Sequence, residues 1–230
     1  MQAQYGGKRF AVLGDSISTL DGYTQPDEAA YYAGMQKFKA DVFVPEDTWW
    51  GQVVEALGGV LWPNHSFAGS TVVKKRGCLI PSYGCSDERT AALARDGIPP
   101  DVVMVFMGIN DWGGGVKIAP DEGEGEELSI FAVAYRRMLQ KLRHNYPSAE
   151  LWCLTLPVSV WSEREDFSFP YCIAGRHIEE YNGVIRDCAL QCGARLIELY
   201  RPTQPHDTVD GFHPNVAGMK ILSRHVLEQI

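Results

Sequence analysis

Apolar residues along this polypeptide fall into short unbroken runs separated by longer stretches of helical spacing. Phe10–Leu13, Asp101–Met107 (DVVMVFM) and Leu151–Leu156 are dense in apolar residues and too short for buried helices. Such runs predict strands buried on both faces. Val60–Trp62 and Arg195–Leu199 predict two shorter strands. Between them, Thr48–Leu57, Leu128–Tyr146, Arg176–Cys192 and Val216–Gln229 carry apolar residues three and four apart and predict helices. Gly58-Gly59, Pro147 and Gly193 mark helix stops, and Pro214 sits near the start of the last helix.

Strands that alternate with helices imply crossover connections and a parallel sheet covered on both faces. The predicted architecture is α/β: a three-layer α/β/α sandwich on a five-stranded parallel sheet, with residues 1–230 as one domain. Two stretches interrupt the alternation. Residues 21–47 are irregular and polar-aromatic, and residues 113–127 (GGGVKIAPDEGEGEE) are glycine-rich and acidic. Both follow a predicted strand end, so both overhang the same rim of the sheet, where loops commonly bind substrate. For the glutamates themselves a solvated acidic loop is the plainer reading.

Composition changes this picture only by exclusion. The formal charge of −8, from 21 basic and 29 acidic residues, argues against nucleic acid as a partner. No apolar run reaches the ~20 residues of a membrane span. The N-terminal segment has no apolar signal-peptide core, so a cytoplasmic location is expected. Six cysteines, at 78, 85, 153, 172, 188 and 192, form neither a C-x-x-C pair nor a zinc-ligand spacing, and are expected to be free thiols.

The chemistry-bearing residues lie at predicted strand ends. Ser16 follows the first strand through Gly14-Asp15; a serine there also serves as a helix cap. The third strand ends in Gly108-Ile109-Asn110-Asp111. An asparagine amide at a strand end is a natural oxyanion donor, and Asn-Asp is equally ordinary turn chemistry. The second strand leads to Gly69, where the missing Cβ lets the N–H approach a ligand oxygen or simply makes a turn. Near the C-terminus, Asp210 and His213 stand three apart around Gly211. A short loop lets the carboxylate hold the imidazole in the tautomer a general base requires. The run from His206 to His213 also admits a metal-binding reading. His65, His144, His177 and His225 have no such carboxylate partnership and read as surface or packing residues.

Gly14-Asp15-Ser16-Ile17, Gly69, Gly108-x-Asn110-Asp111 and Asp210-x-x-His213-Pro214 resemble the four sequence blocks of the SGNH (GDSL-type) hydrolase superfamily, in order and over nearly the whole length. Ile17 replaces the usual leucine. The resemblance implies a flavodoxin-like sheet and serine esterase, lipase or deacetylase chemistry with no cofactor or metal. It makes Ser16 the nucleophile, His213 the base and Asp210 its orienting carboxylate. The oxyanion hole is then the Ser16 and Gly69 N–H groups with the Asn110 amide. It points to bacterial proteins often grouped with carbohydrate esterases, and so to a short-acyl ester of a small molecule or carbohydrate.

Asp15, Trp112 and Phe212 adjoin these blocks and are candidate substrate contacts, with Trp49, Trp50 and Trp161 as further aromatic walls. Arg89 reads as a structural ion pair or as a contact for an anionic substrate group. An acyltransferase or thioesterase with the same residues, and a non-catalytic binding module, are the alternatives. An α/β-hydrolase is disfavoured because no mid-sequence G-x-S-x-G elbow is present.

Overall fold

The computed structural model describes residues 2–24, 30–75, 82–122, 125, 127–169 and 172–230. Five strands form its sheet: β1 (Arg9–Gly14), β2 (Val60–Asn64), β3 (Val102–Phe106), β4 (Glu150–Leu154) and β5 (Arg195–Ile197). Their spatial order is β2-β1-β3-β4-β5, with every neighbouring pair parallel. This is the flavodoxin-like doubly wound arrangement expected from the alternation of strands and helices. The unbroken apolar runs become the inner strands because they are covered on both faces; every residue of β3 is buried.

Four long helices cover the sheet: α1 (Trp49–Ala56), α2 (Phe131–Asn145), α3 (Ile178–Gln191) and α4 (Val216–Leu227). α1 packs on α4, and α2 packs on α3. Each predicted helix is present, within a few residues at either end. Thr48 starts α1 by accepting the Gly51 N–H, and Asn215 starts α4 by accepting the Gly218 N–H. α3 begins two residues later than its spacing predicts. His177 Nδ1 accepts the Glu179 N–H while the Glu180 carboxylate accepts the His177 N–H. That reciprocal cap fixes the helix start, and Arg176–His177 pairs instead with Cys172–Ile173 in a short antiparallel ribbon.

The stretch 21–47 is more regular than its composition suggests. It contains a helix over Gly34–Ala40 and a 3-10 turn over Pro45–Asp47. The helix has no sequence signature because Met35 and Phe38 point outward, at 72% and 64% exposure, so its apolar residues do not mark a buried face. Cys85, Cys153, Cys188 and Cys192 are free thiols, and Cys78 lies outside the described residues. Among the described residues, no helix is long and apolar enough to cross a membrane.

In the sheet, β1 and β3 are adjacent and level, with Gly14 opposite Phe106. β2 lies on one side of them and β4 with β5 on the other. In a doubly wound sheet the crevice beyond the strand ends at this reversal point is where ligands bind. Ser16 follows β1 and Asn110 follows β3, so the fold alone brings these two together.

Candidate active site

Ser16 opens a 3-10 turn, Ser16–Ser18, directly beyond β1. Asp15 caps the turn by accepting the Ile17 N–H at 3.1 Å. Gly14 is required by space: a Cβ there would lie 2.6 Å from Ser18 Cβ and 2.7 Å from Ser66 Oγ. Beneath the turn, the Trp49 and Trp50 indoles donate to Ser18 Oγ (3.2 Å) and to the Ser18 carbonyl (2.9 Å). Both tryptophans are fully buried, so they shape the turn from within and are not walls of a binding site.

Asp210 and His213 reach this turn from the loop before α4. His213 Nε2 lies 2.9 Å from Ser16 Oγ, and His213 Nδ1 lies 2.7 Å from Asp210 Oδ2. The other carboxylate oxygen, Oδ1, accepts the Phe212 and His213 N–H groups at 3.0 and 2.8 Å. Burial on its own would raise the Asp210 carboxyl, but the His213 ring and these N–H donors outweigh it and hold Asp210 well below the usual carboxylate range. The loop needs a glycine at 211, where φ is +91° and a Cβ would lie 2.6 Å from the Phe167 ring. A hydroxyl, an imidazole and an anionic carboxylate joined in this order can activate the hydroxyl as a nucleophile. The two other candidates in the metal-binding run point elsewhere. His206 Nδ1 faces the Val158 carbonyl, and Asp207 accepts from Ser162 and Asn215.

Asn110 lies in the first turn of a short helix, Ile109–Gly113, and its Nδ2 donates to the Ser70 carbonyl at 2.9 Å. An amide NH2 carries two hydrogens, so one remains for a ligand oxygen. Gly69 precedes Ser70 in the same turn and has φ +75°, a conformation that favours glycine. Asp111 holds this turn's continuation: its buried carboxylate accepts the Val72 and Val73 N–H groups at 2.8 and 3.2 Å. Burial pushes both the Asp111 and the Asp15 carboxyls up to about 7, against the backbone N–H bonds that favour their anions.

A cavity of about 210 Å³ opens at these groups, lined by Ser16, Ile17, Ile109, Asn110, Gly113, Phe212 and His213. Phe212 is therefore where a substrate contact is expected. Trp112 and Asp15 are not. Trp112 is fully buried, donates its indole N–H to the Arg176 carbonyl at 2.9 Å, and stacks on Phe169. Its ring centroid lies 6.4 Å from that of Phe212, which lines the cavity in its place. Asp15 is 1% exposed and is spent on the Ser16 turn. Arg89 fits neither expectation. Its guanidinium is buried and donates to the Gly14 and His65 carbonyls and to Ser70 Oγ, all uncharged.

Residues 8–158 match the model of the GDSL-like lipase/acylhydrolase family, well over half of the sequence. The protein belongs to that family. It is therefore a carboxylic ester hydrolase by class. A crystal structure from Bacteroides uniformis that carries the name GDSL-like lipase is 27% identical, over 100% of this protein and 98% of the other, with a TM-score of 0.74. One from Bacteroides ovatus with the same name is 26% identical, over 97% of each protein, with a TM-score of 0.73. The cellulase/esterase CelE of Acetivibrio thermocellus is 23% identical over 133 residues. That match spans 57% of this protein and 14% of the much longer relative. A family two carbohydrate esterase from Clostridium thermocellum shares the fold, with a TM-score of 0.58 at 14% identity over 98% of this protein and 64% of the other.

Two residues around the site carry no motif. Tyr31 stacks on the His213 ring and donates its hydroxyl to Asp210 Oδ2, and Arg89 links the end of β1 to two points of the segment that follows β2. Neither stands at a diagnostic spacing from the four blocks. In the sequence they are an aromatic residue and an arginine within otherwise irregular segments.

Proposed function

We propose that this protein is a serine esterase that removes short acyl groups, acetyl foremost, from a small or carbohydrate-linked alcohol. The observation that carries the reading is the hydrogen-bonded series Ser16–His213–Asp210 opening into a cavity beside Asn110. In this reading Ser16 Oγ attacks the ester carbonyl carbon as His213 Nε2 takes its proton. Asp210 keeps the imidazole oriented and stabilises its cation. The carbonyl oxygen, now an oxyanion, is received by the Ser16 and Gly69 N–H groups and the Asn110 amide. Collapse breaks the carbon–oxygen bond to the alcohol, which leaves with the proton from His213. Water then attacks the acyl carbon as His213 takes its proton; the bond to Ser16 Oγ breaks, the acid leaves, and His213 returns the proton to Ser16 Oγ.

Two features support a short acyl group. The cavity, about 210 Å³, is smaller than the ~300–1,000 Å³ of pockets that take drug-sized ligands. Its apolar lining is Ile17, Ile109 and Phe212, which suits a small alkyl group. The carbohydrate reading draws on what CelE and the family two carbohydrate esterase are named for. A series of nitrophenyl esters of increasing acyl length tests the reading. The expected kcat/KM is highest at acetate and falls steadily beyond butyrate. A maximum at eight carbons or longer would reject it.

A further inference from the structure

We propose that Tyr31 is a positioning residue that holds the His213 ring in its working orientation and tunes it through Asp210, a role that rests on the esterase reading of this site. Two contacts define it. The Tyr31 and His213 rings are nearly parallel, 9° apart, with centroids 3.5 Å from one another. The Tyr31 hydroxyl donates to Asp210 Oδ2 at 2.9 Å, the same oxygen that receives His213 Nδ1 at 2.7 Å. One residue therefore touches both the base and its carboxylate.

Tyr31 is itself fixed from the nucleophile's side. Its backbone N–H donates to Thr19 Oγ1 at 2.8 Å, and Thr19 Oγ1 donates to the Ser16 carbonyl at 2.8 Å. Its neighbour Tyr32 meets it edge-on and donates a buried hydroxyl to the carbonyl of Pro214, the residue after His213. The Tyr31–Tyr32 pair thus bridges the Ser16 turn and the Asp210–Pro214 loop, which lie at opposite ends of the sequence. An imidazole can turn about its side-chain bonds; the stacked ring opposes that rotation, which would carry Nε2 away from Ser16.

The hydroxyl has a separate effect. By sharing Oδ2 with His213 it draws off part of the carboxylate's hydrogen-bonding capacity, and so weakens the stabilisation that Asp210 gives to a protonated imidazole. Among the described residues, the groups facing His213 are Ser16 at Nε2, Asp210 at Nδ1 and Tyr31 on its ring face. Tyr32 meets Tyr31 edge-on and interacts electrostatically with Asp15, on which Asp111 and Arg89 act in turn.

Two variants separate these effects. Tyr31→Phe keeps the stacked ring and deletes the shared hydrogen bond. Its acidic kcat/KM limb should move to higher pH by several tenths of a unit, and the downfield proton NMR signal of His213 Nδ1–H should shift. Tyr31→Ala deletes both contacts, and kcat should fall about 10- to 100-fold with a much smaller change in KM. A Tyr31→Phe enzyme with an unchanged pH profile and an unchanged Nδ1 signal would overturn the tuning role. A folded Tyr31→Ala enzyme with full kcat would overturn the positioning role. The NMR signal needs no substrate, so it reports on Tyr31 even if the parent protein hydrolysed no ester.

Discussion

Arg89→Leu should destabilise this protein and slow it at once, because a single buried guanidinium ties together three of the segments that form the site. From the short helix Asp87–Ala91, Arg89 donates to Gly14 at the end of β1 (2.7 Å), to the carbonyl of His65 just beyond β2, and to Ser70 Oγ (2.6 Å) beside Gly69. Leucine fills much of the space and makes none of these bonds. Each lost bond to the charged guanidinium costs about 1–3 kcal/mol, least where the acceptor keeps another partner, as the Gly14 carbonyl keeps the Phe67 N–H. Against that stands the relief of no longer burying a charge. Burial lowers the Arg89 guanidinium to about 10, a direct sign of that desolvation.

Three lost bonds less this relief leave a net destabilisation of roughly 2–4 kcal/mol, a large share of the ~5–15 kcal/mol that holds a domain folded. The rate should suffer further. Ser70 receives Asn110 Nδ2 on its carbonyl, so a shift of the 69–70 turn displaces the oxyanion donor. We expect kcat at least about tenfold lower, on the scale that small displacements cost at active sites. Arg89→Lys should recover only part of either loss, since one ammonium cannot span three acceptors. Urea unfolding measures the stability change, and turnover of an acetate ester measures the rate. A loss below about 1 kcal/mol with unchanged kcat would refute this role for Arg89.

Asn110→Ala should lower kcat by about 10²–10³ with little change in KM, the usual consequence of deleting one oxyanion donor; unchanged kcat would remove Asn110 from the site. Although the buried His206, pushed down to about 4, opposes the trend below about pH 6.5, stability should rise on acidification from pH 8 to about 6.5, because Asp15 and Asp111 titrate at about 7 in the fold and about 4 when unfolded. In that window the folded state binds more protons, and each group contributes up to about 1.4 kcal/mol per pH unit below its folded value. Below about pH 4 the trend should reverse. The Arg9 hydrogen bond holds Asp101 at about 2, and Asp210 also lies low, so protonating them costs stability. Thermal unfolding from strong acid to mild alkali checks both limbs, and a profile that does not rise between pH 8 and about 6.5 would contradict the burial of the two aspartates.

What is legible in the sequence is what obeys local rules. Buried strands announce themselves as unbroken apolar runs, and the runs at β1, β3 and β4 match the strands to within two or three residues. The parallel sheet follows from their alternation with helices, and the sheet's rim brings Ser16, Asn110 and the Asp210–His213 loop together. The direction in which a residue points is not legible. Trp112 stands two residues after Asn110, where a substrate wall would be expected, yet as the fourth residue of a short helix it turns inward beneath Phe212. Asp15 shares a motif with Ser16 but is turned into the Ile17 N–H. Tyr31 leaves no local trace, and Arg89 is legible only as an arginine of undecided role, because their partners are tertiary: Tyr31 meets a residue 179 positions away, and Arg89 joins the end of β1 to the segment after β2.

Everything proposed for this site depends on Ser16 being a nucleophile made reactive by His213 and Asp210. A fluorophosphonate probe, followed by peptide mapping, tests this without knowledge of the natural substrate. One covalent adduct is expected, on Ser16, lost in Ser16→Ala and strongly slowed in His213→Ala. Folded protein that takes no label, or takes it on another residue, would contradict that assignment.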